Sequence, residues 1–261
     1  VAKNTVVVAA TEGTDTYAGI TGLTSVANIG GVGPFISSFS NYGPTDDFRI
    51  KPDIAAKGVG VWSVGIRGIS DAQSLQGTSM AAPAVTGVFA LWHGYYKQLY
   101  KKDMSSASTR ALMAHTARET GPAPGPDFMF GWGLIDAAKG VEVIDNTVAK
   151  TVLFNEFTLK DKTTFEYEFP YTGTEPLTVT IAWNDPAGTV TIQEDLNLKK
   201  LVNDLDLRLV NEDTGNVYYP WSLVQDWSIL PNSSGIAVRN VDNARDNIEK
   251  IEPQGLIAGN Y

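Results

Sequence analysis

One stretch limits the folds open to this chain more than any other: Gly77-Thr78-Ser79-Met80-Ala81-Ala82-Pro83, continuing as Ala84-Val85-Thr86-Gly87-Val88-Phe89-Ala90-Leu91. A glycine, two hydroxyl residues and a run of small and apolar residues predict a tight turn feeding a helix that starts at Ser79 and ends near Tyr100. The run turns polar only at Lys97-Gln98, so the helix is expected to be central and buried nearly all round. Pro83 frees the Ser79 carbonyl from its helical hydrogen bond, a defect tolerated near a first turn. Ser79 then has two readings. The orphan N–H groups of a first turn suit a nucleophile whose reaction develops negative charge. An ordinary Ser/Thr cap on a core helix explains the same letters.

Length and charge narrow the setting. A chain of 261 residues suits one large domain or two smaller ones. With 20 Lys and Arg against 29 Asp and Glu, the net charge of −9 argues against a nucleic-acid or anionic-membrane partner. No stretch approaches the roughly 18 to 20 apolar residues of a membrane span. The absence of cysteine excludes a disulfide framework, thiol catalysis and Cys-ligated zinc. The chain opens directly on the strand-like Val6-Val7-Val8 and closes on Ala258-Gly259-Asn260-Tyr261, where one more strand would begin. Both ends are therefore expected to lie inside a longer chain.

Read in order, the first part is α/β. Val6-Val7-Val8 suits a parallel strand covered on both faces. Residues 11–34 carry many Gly, Ser and Thr and read as loop with one short strand. Gly43-Pro44 and Lys51-Pro52 punctuate a surface loop whose Asp46, Asp47, Arg49 and Lys51 are expected to form a solvated turn, followed by a short buried piece, Pro52-Asp53-Ile54-Ala55-Ala56. Ser105-Ser106 predicts a cap for a second helix ending near Ala117, and the glycine-hinged turn Phe130-Gly131-Trp132-Gly133 leads to a third helix ending near Ile144. Beyond it the composition changes. Phe165-Glu166-Tyr167-Glu168-Phe169, Leu177-Thr178-Val179-Thr180-Ile181-Ala182-Trp183 and Leu205-Asp206-Leu207-Arg208-Leu209 alternate with period two, the pattern of a β-sandwich or jelly roll. The expected division is residues 1–147 and 148–261.

The chain has two histidines. His93 lies fourteen residues beyond Ser79 on the same predicted helix, roughly 21 Å away, too far to be its base. Ser79, Asp103 and His115 fall in the order used by α/β-hydrolases. That reading wants a glycine where Ala81 stands and a strand before the serine, whereas Ser70-Asp71-Ala72-Gln73-Ser74 reads as loop; His115 is then a helix-face residue with a local hydrogen bond. Asp185, Asn203, Asp204 and Asp206 offer donors for a calcium site, and solvated carboxylates explain them as well. Asn232-Ser233-Ser234 matches a glycosylation sequon.

Gly77-Thr78-Ser79-Met80-Ala81-Ala82-Pro83 resembles the serine-nucleophile motif of the subtilisin-like serine endopeptidases. Ser38-Phe39-Ser40-Asn41-Tyr42-Gly43-Pro44, Arg49-Ile50-Lys51-Pro52-Asp53-Ile54-Ala55-Ala56 and Phe130-Gly131-Trp132-Gly133-Leu134-Ile135-Asp136-Ala137 resemble further family segments in the family's order. Ala182-Trp183-Asn184-Asp185-Pro186, Leu201-Val202-Asn203-Asp204-Leu205-Asp206-Leu207 and Asp246-Asn247-Ile248-Glu249-Lys250-Ile251 resemble the jelly-roll domain of a secreted bacterial branch. The resemblance implies the C-terminal part of a subtilisin-like parallel-sheet domain followed by a jelly roll. It implies proteolysis of protein or peptide substrates through an acyl-enzyme on Ser79, a secreted location, and no cofactor for the chemistry, with structural calcium left open. The family's Asp, His and oxyanion Asn motifs precede the serine, and this sequence shows none of them; of two registers for the first strand, the one without Thr11 in the asparagine's place also accounts for Ala2-Lys3-Asn4. The 261 residues alone are thus expected to be inactive. Ala84 and Lys57 depart from the family's usual His and Pro. A different class also remains, a secreted binding or adhesion module whose protease half is a remnant.

Overall fold

In the computed structural model residues 2–12, 35–121, 123–192, 197–225 and 237–261 are described. The sequon at Asn232 and most of the loop expected at 11–34 lie outside them. Strand β1 (Val8–Thr11) pairs in parallel with β2 (Ile54–Lys57), Val8 opposite Ile54 and Thr11 opposite Lys57. Ala9, Ala10, Ile54, Ala55 and Ala56 are all buried, as a parallel pair covered on both faces requires. Helix α1 (Thr78–Tyr100) lies against both strands, its Ala81 and Val85 packed with Ala10, Ile54 and Ala56. Between β2 and α1 stands an antiparallel hairpin of β3 (Val61–Val64) and β4 (Ala72–Leu75), where loop was expected before the serine.

Helices α2 (Ser106–Thr116) and α3 (Ala137–Val148) complete the first half. Each starts on a side-chain cap: Ser105 accepts from the Ser108 N–H and Asp136 from the Lys139 N–H, satisfying donors the helix itself cannot. Trp92 of α1 is fully buried, its indole N–H donating to the Ala137 carbonyl at 2.9 Å. Gly140 of α3 lies so close to this ring that no side chain fits there.

Two expectations for this half are corrected. Helix α1 buries only Ala81, Val85, Trp92 and Tyr96, one stripe at helical spacing, and exposes Ala82, Ala84, Ala90 and Leu91. The stripe packs on β1, β2 and α3. On the other side, apart from the adjoining residues and backbone of the helix itself, no atom of the described residues comes within 4 Å of a Cβ placed on Gly87 or Gly94. Of the charged loop only Asp46 is exposed as expected: Asp47, Arg49 and Lys51 are buried. Arg49 Nε donates to Asp47 Oδ2 at 2.8 Å, and Lys51 Nζ donates to Asp53 Oδ1 at 2.6 Å and to the Thr5 carbonyl at 2.9 Å. Charges taken out of water persist only when paired in this way.

Past α3 every strand pair is antiparallel. The pairs are β5 (Pro170–Tyr171) with β12 (Gly259–Asn260), β6 (Val179–Ala182) with β11 (Ile248–Ile251), β7 (Leu209–Val210) with β8 (Val217–Tyr218), and β9 (Ser222–Leu223) with β10 (Ala237–Val238). Strands are two to four residues long, and each sheet has two strands among the described residues, short of the expected jelly roll. The alternating Phe165-Glu166-Tyr167-Glu168-Phe169 is not a strand; Phe169 instead exchanges two backbone hydrogen bonds with Tyr261, against whose ring its own is stacked.

Strand β11 pairs with β6 and is buried along its whole length. Ile248 packs with Leu112 and Met113 of α2, and Glu249 lies at 0% exposure with Oε2 accepting from the Leu207 N–H at 2.7 Å and no partner for Oε1. Burial pushes its carboxyl up to about 9, with Asp206, Asp204 and Asp246 adding to the push and the Leu207 N–H opposing it. Folded Glu249 therefore holds its proton where the unfolded chain, near 4.5, has lost it. Stability contributed here is present below pH 4.5 and falls as pH rises toward 9, by about 3 kcal/mol at pH 7. Glu249→Gln is expected to be more stable than the parent in urea at pH 7 to 8, with the gap closing near pH 4.5; a pH-independent difference contradicts this titration.

Candidate active site

Ser79 is the second residue of α1 and is exposed. The position before the helix belongs to Gly77, at φ 148° and ψ 161°, and no side chain caps this end. Ser79 therefore does not fill the cap role, and no hydrogen bond of its hydroxyl is present among the described residues. A residue at this depth has no carbonyl four positions back inside the helix, so its N–H faces outward at the positive end of the α1 dipole.

The turn that delivers Ser79 is tied to the sheet by backbone alone. Thr11, the last residue of β1, accepts from the Gly58 N–H at 2.9 Å; the Gly58 carbonyl accepts from the Gly77 N–H at 2.8 Å; and the Gly77 carbonyl accepts from the Met80 N–H at 3.0 Å. Two peptide units thus separate the edge of the sheet from the start of the helix. No local sequence signal marks Gly58, because its part in this ladder depends on a contact nineteen residues away.

Neither histidine pairs with the serine. His93 Nε2 lies 2.7 Å from Thr109 Oγ1, and His115 Nδ1 lies 3.0 Å from Thr180 Oγ1 on β6, a partner in the second half and not a local one. Burial lowers the His115 imidazole to about 4, with Lys250 adding to the effect, so the ring is neutral near pH 7. Asp103 is bound to Lys97 Nζ at 2.8 Å on the surface. The Ser79, Asp103, His115 order therefore does not assemble into a relay.

The carboxylates considered for calcium are engaged otherwise. Asp185 accepts from Lys3 Nζ, from the Val202 N–H at 2.9 Å and from the Asn203 N–H at 2.8 Å. Burial opposes its ionisation, but these donors outweigh it and hold the carboxyl below its usual range. Asp204 pairs with Lys199, and Asp206 lies 3.9 Å from Arg208. Among the described residues no group of three or more His, Asp or Glu side chains is placed to hold a metal ion.

Asp185 also joins the halves. Its N–H donates to Asn4 Oδ1 at 3.0 Å, and Asn4 Nδ2 donates back to its carbonyl at 2.9 Å, as one strand edge reads another. Asn247 Nδ2 donates to the same Asn4 oxygen at 2.8 Å, while Arg110 of α2 donates through Nη2 to the Trp183 carbonyl at 2.8 Å. No local sequence signal marks this junction; its members lie up to 243 positions apart.

The Subtilase family model matches residues 1–133, just over half of the chain, and the chain belongs to the subtilase family. It is 27% identical over 175 residues to the PI-type proteinase of Lactococcus lactis subsp. cremoris, covering 60% of this chain and 9% of that protein. It is 40% identical over 96 residues to subtilisin-like protease SBT3.6 of Arabidopsis thaliana, covering 35% of this chain and 12% of the relative. Among solved structures it is similar to fervidolysin from Fervidobacterium pennivorans, a keratinolytic enzyme related to subtilisin, at 18% identity and a TM-score of 0.38, over 96% of this chain and 27% of the other. The chain thus spans about a tenth of the length of the curated relatives it matches.

The turn and the serine are expected to respond differently to substitution. Gly77→Ala forces a side chain into a φ that L-residues rarely adopt and should cost on the order of 1–3 kcal/mol. Ser79→Ala removes an exposed hydroxyl with no partner and should stay within about 0.5 kcal/mol of the parent. Urea unfolding of both variants checks the contrast; a loss of 1 kcal/mol or more at Ser79 would restore the cap reading.

Proposed function

We propose that Ser79 is the acylated nucleophile of a secreted serine endopeptidase. The observation that carries this reading is an exposed serine at the second position of a helix, its hydroxyl unengaged, held by a glycine turn in a member of the subtilase family. Ser79 Oγ attacks the carbonyl carbon of a peptide bond while a general base takes the hydroxyl proton. The Ser79 N–H donates to the tetrahedral oxyanion, and the base returns the proton to the leaving amine. Water then hydrolyses the ester and frees Ser79. The chemistry needs no cofactor.

The base, its carboxylate and the second oxyanion donor belong to Asp, His and Asn motifs that these 261 residues do not show, so this stretch by itself is proposed to be inactive. Losing base and oxyanion donor together removes several powers of ten in rate. Residues 148–261, as a jelly-roll domain, act as a stabilising or substrate-positioning appendage to residues 1–147. The charge of −9 favours protein or peptide substrates over nucleic acid, and no helix of the described residues is long and apolar enough to cross a membrane.

Treating the longest natural form with a fluorophosphonate and mapping the adduct tests the assignment. Labelling of Ser79, lost in Ser79→Ala, is the expected result; a folded sample with no adduct there contradicts it and favours the binding-module reading. The 261-residue stretch alone should stay unlabelled. Strong labelling of it would contradict the proposed inactivity of this stretch.

A further inference from the structure

Gly58 sits where the two ends of the backbone ladder meet. It is buried, and its carbonyl is the acceptor for the Gly77 N–H. A Cβ built on it would lie 2.5 Å from Ala10 Cβ and 2.9 Å from the Gly77 carbonyl oxygen, closer than real Cβ contacts come. Its φ falls outside the left-handed range, so alanine could adopt this backbone and only space forbids it. Ala10 cannot yield readily, being fully buried in β1 and paired with Ala56. Of the two neighbours, the Gly77 carbonyl belongs to the less buried segment and is the one that would move. That carbonyl holds the Met80 N–H, and the turn closed by this hydrogen bond contains Thr78 and Ser79.

We propose that Gly58 is a positioning residue for Ser79: by leaving no side chain between Ala10 and Gly77, it sets the distance between sheet and helix start that aims the Ser79 hydroxyl and N–H. The inference rests on Ser79 being the nucleophile. A displacement of about 1 Å in such a group can lower rate a hundredfold without touching the surfaces that bind substrate. The signature is therefore a fall in kcat at unchanged KM, reversible when space is returned from the other side.

In the longest natural form, Gly58→Ala is expected to lower the fluorophosphonate labelling rate and kcat on a peptide substrate by about 10- to 100-fold with KM within twofold. Gly58→Ala with Ala10→Gly removes the 2.5 Å contact and leaves the 2.9 Å one, and should recover part of the loss, at least threefold. A folded Gly58→Ala protein with unchanged kcat overturns the proposal, and so does a loss borne by KM or one that Ala10→Gly does not relieve. If Gly58→Ala does not fold, the double variant read against Ala10→Gly alone decides: kcat at least threefold below that reference supports the pinch at the Gly77 carbonyl, and equal kcat overturns it. Parent protein that fails to label at Ser79 overturns instead the nucleophile assignment beneath it.

Discussion

The parallel pairing of β1 with β2 is the constraint on which the other contacts converge. A parallel pair must be covered on both faces: Ala10, Ile54 and Ala56 pack with Ala81 and Val85 of α1 on one side, and Ala9 and Ala55 pack with Ile36, Phe130 and Leu134 on the other. What happens at the two ends of β1 then matters most. Upstream, Lys3 and Asn4 are held by Asp185; downstream, Thr11 holds Gly58, which holds Gly77. One short strand thus faces the second half at one end and the serine turn at the other.

This arrangement explains why so much charge is buried in so small an area. Lys51 neutralises Asp53, whose other contact is the Val7 N–H just before β1, and Lys3 neutralises Asp185. Buried pairs of this kind add little net stability, and removing either partner is costly because it leaves an uncompensated buried charge. Glu249 and Asp127 differ from these pairs: each is a buried carboxyl that accepts from backbone N–H groups with no cation beside it, and burial raises both.

Local features of this chain were legible in its sequence. Ser105 capping α2, the glycine turn into α1 and the buried Ile54-Ala55-Ala56 strand each depend on a few adjacent residues, and each stands where the letters put it. What failed depended on partners far along the chain. The small apolar face of α1 reads the same whether covered or bare, and the structure leaves Leu91 at 65% exposure. Asp47, Arg49 and Lys51 look like a wet turn until Thr5 and Asp246 close over the loop. The serine's place at a helix start was readable; that it is no cap, and that Gly58 stands behind it, was not, because both follow from the fold of segments nineteen and more residues apart.

The central claim is that the Ser79 turn is part of the sheet's cooperative unit and not of the exposed hairpin that precedes it. Native-state amide exchange on single residues measures this directly. The Gly58 and Gly77 amides are expected to exchange as slowly as those of Ala10 and Ala56, and to rise together with them as denaturant is added, while the amides of the exposed β3–β4 hairpin exchange far faster. A Gly77 amide that exchanges with the hairpin, independently of β1 and β2, would contradict the account.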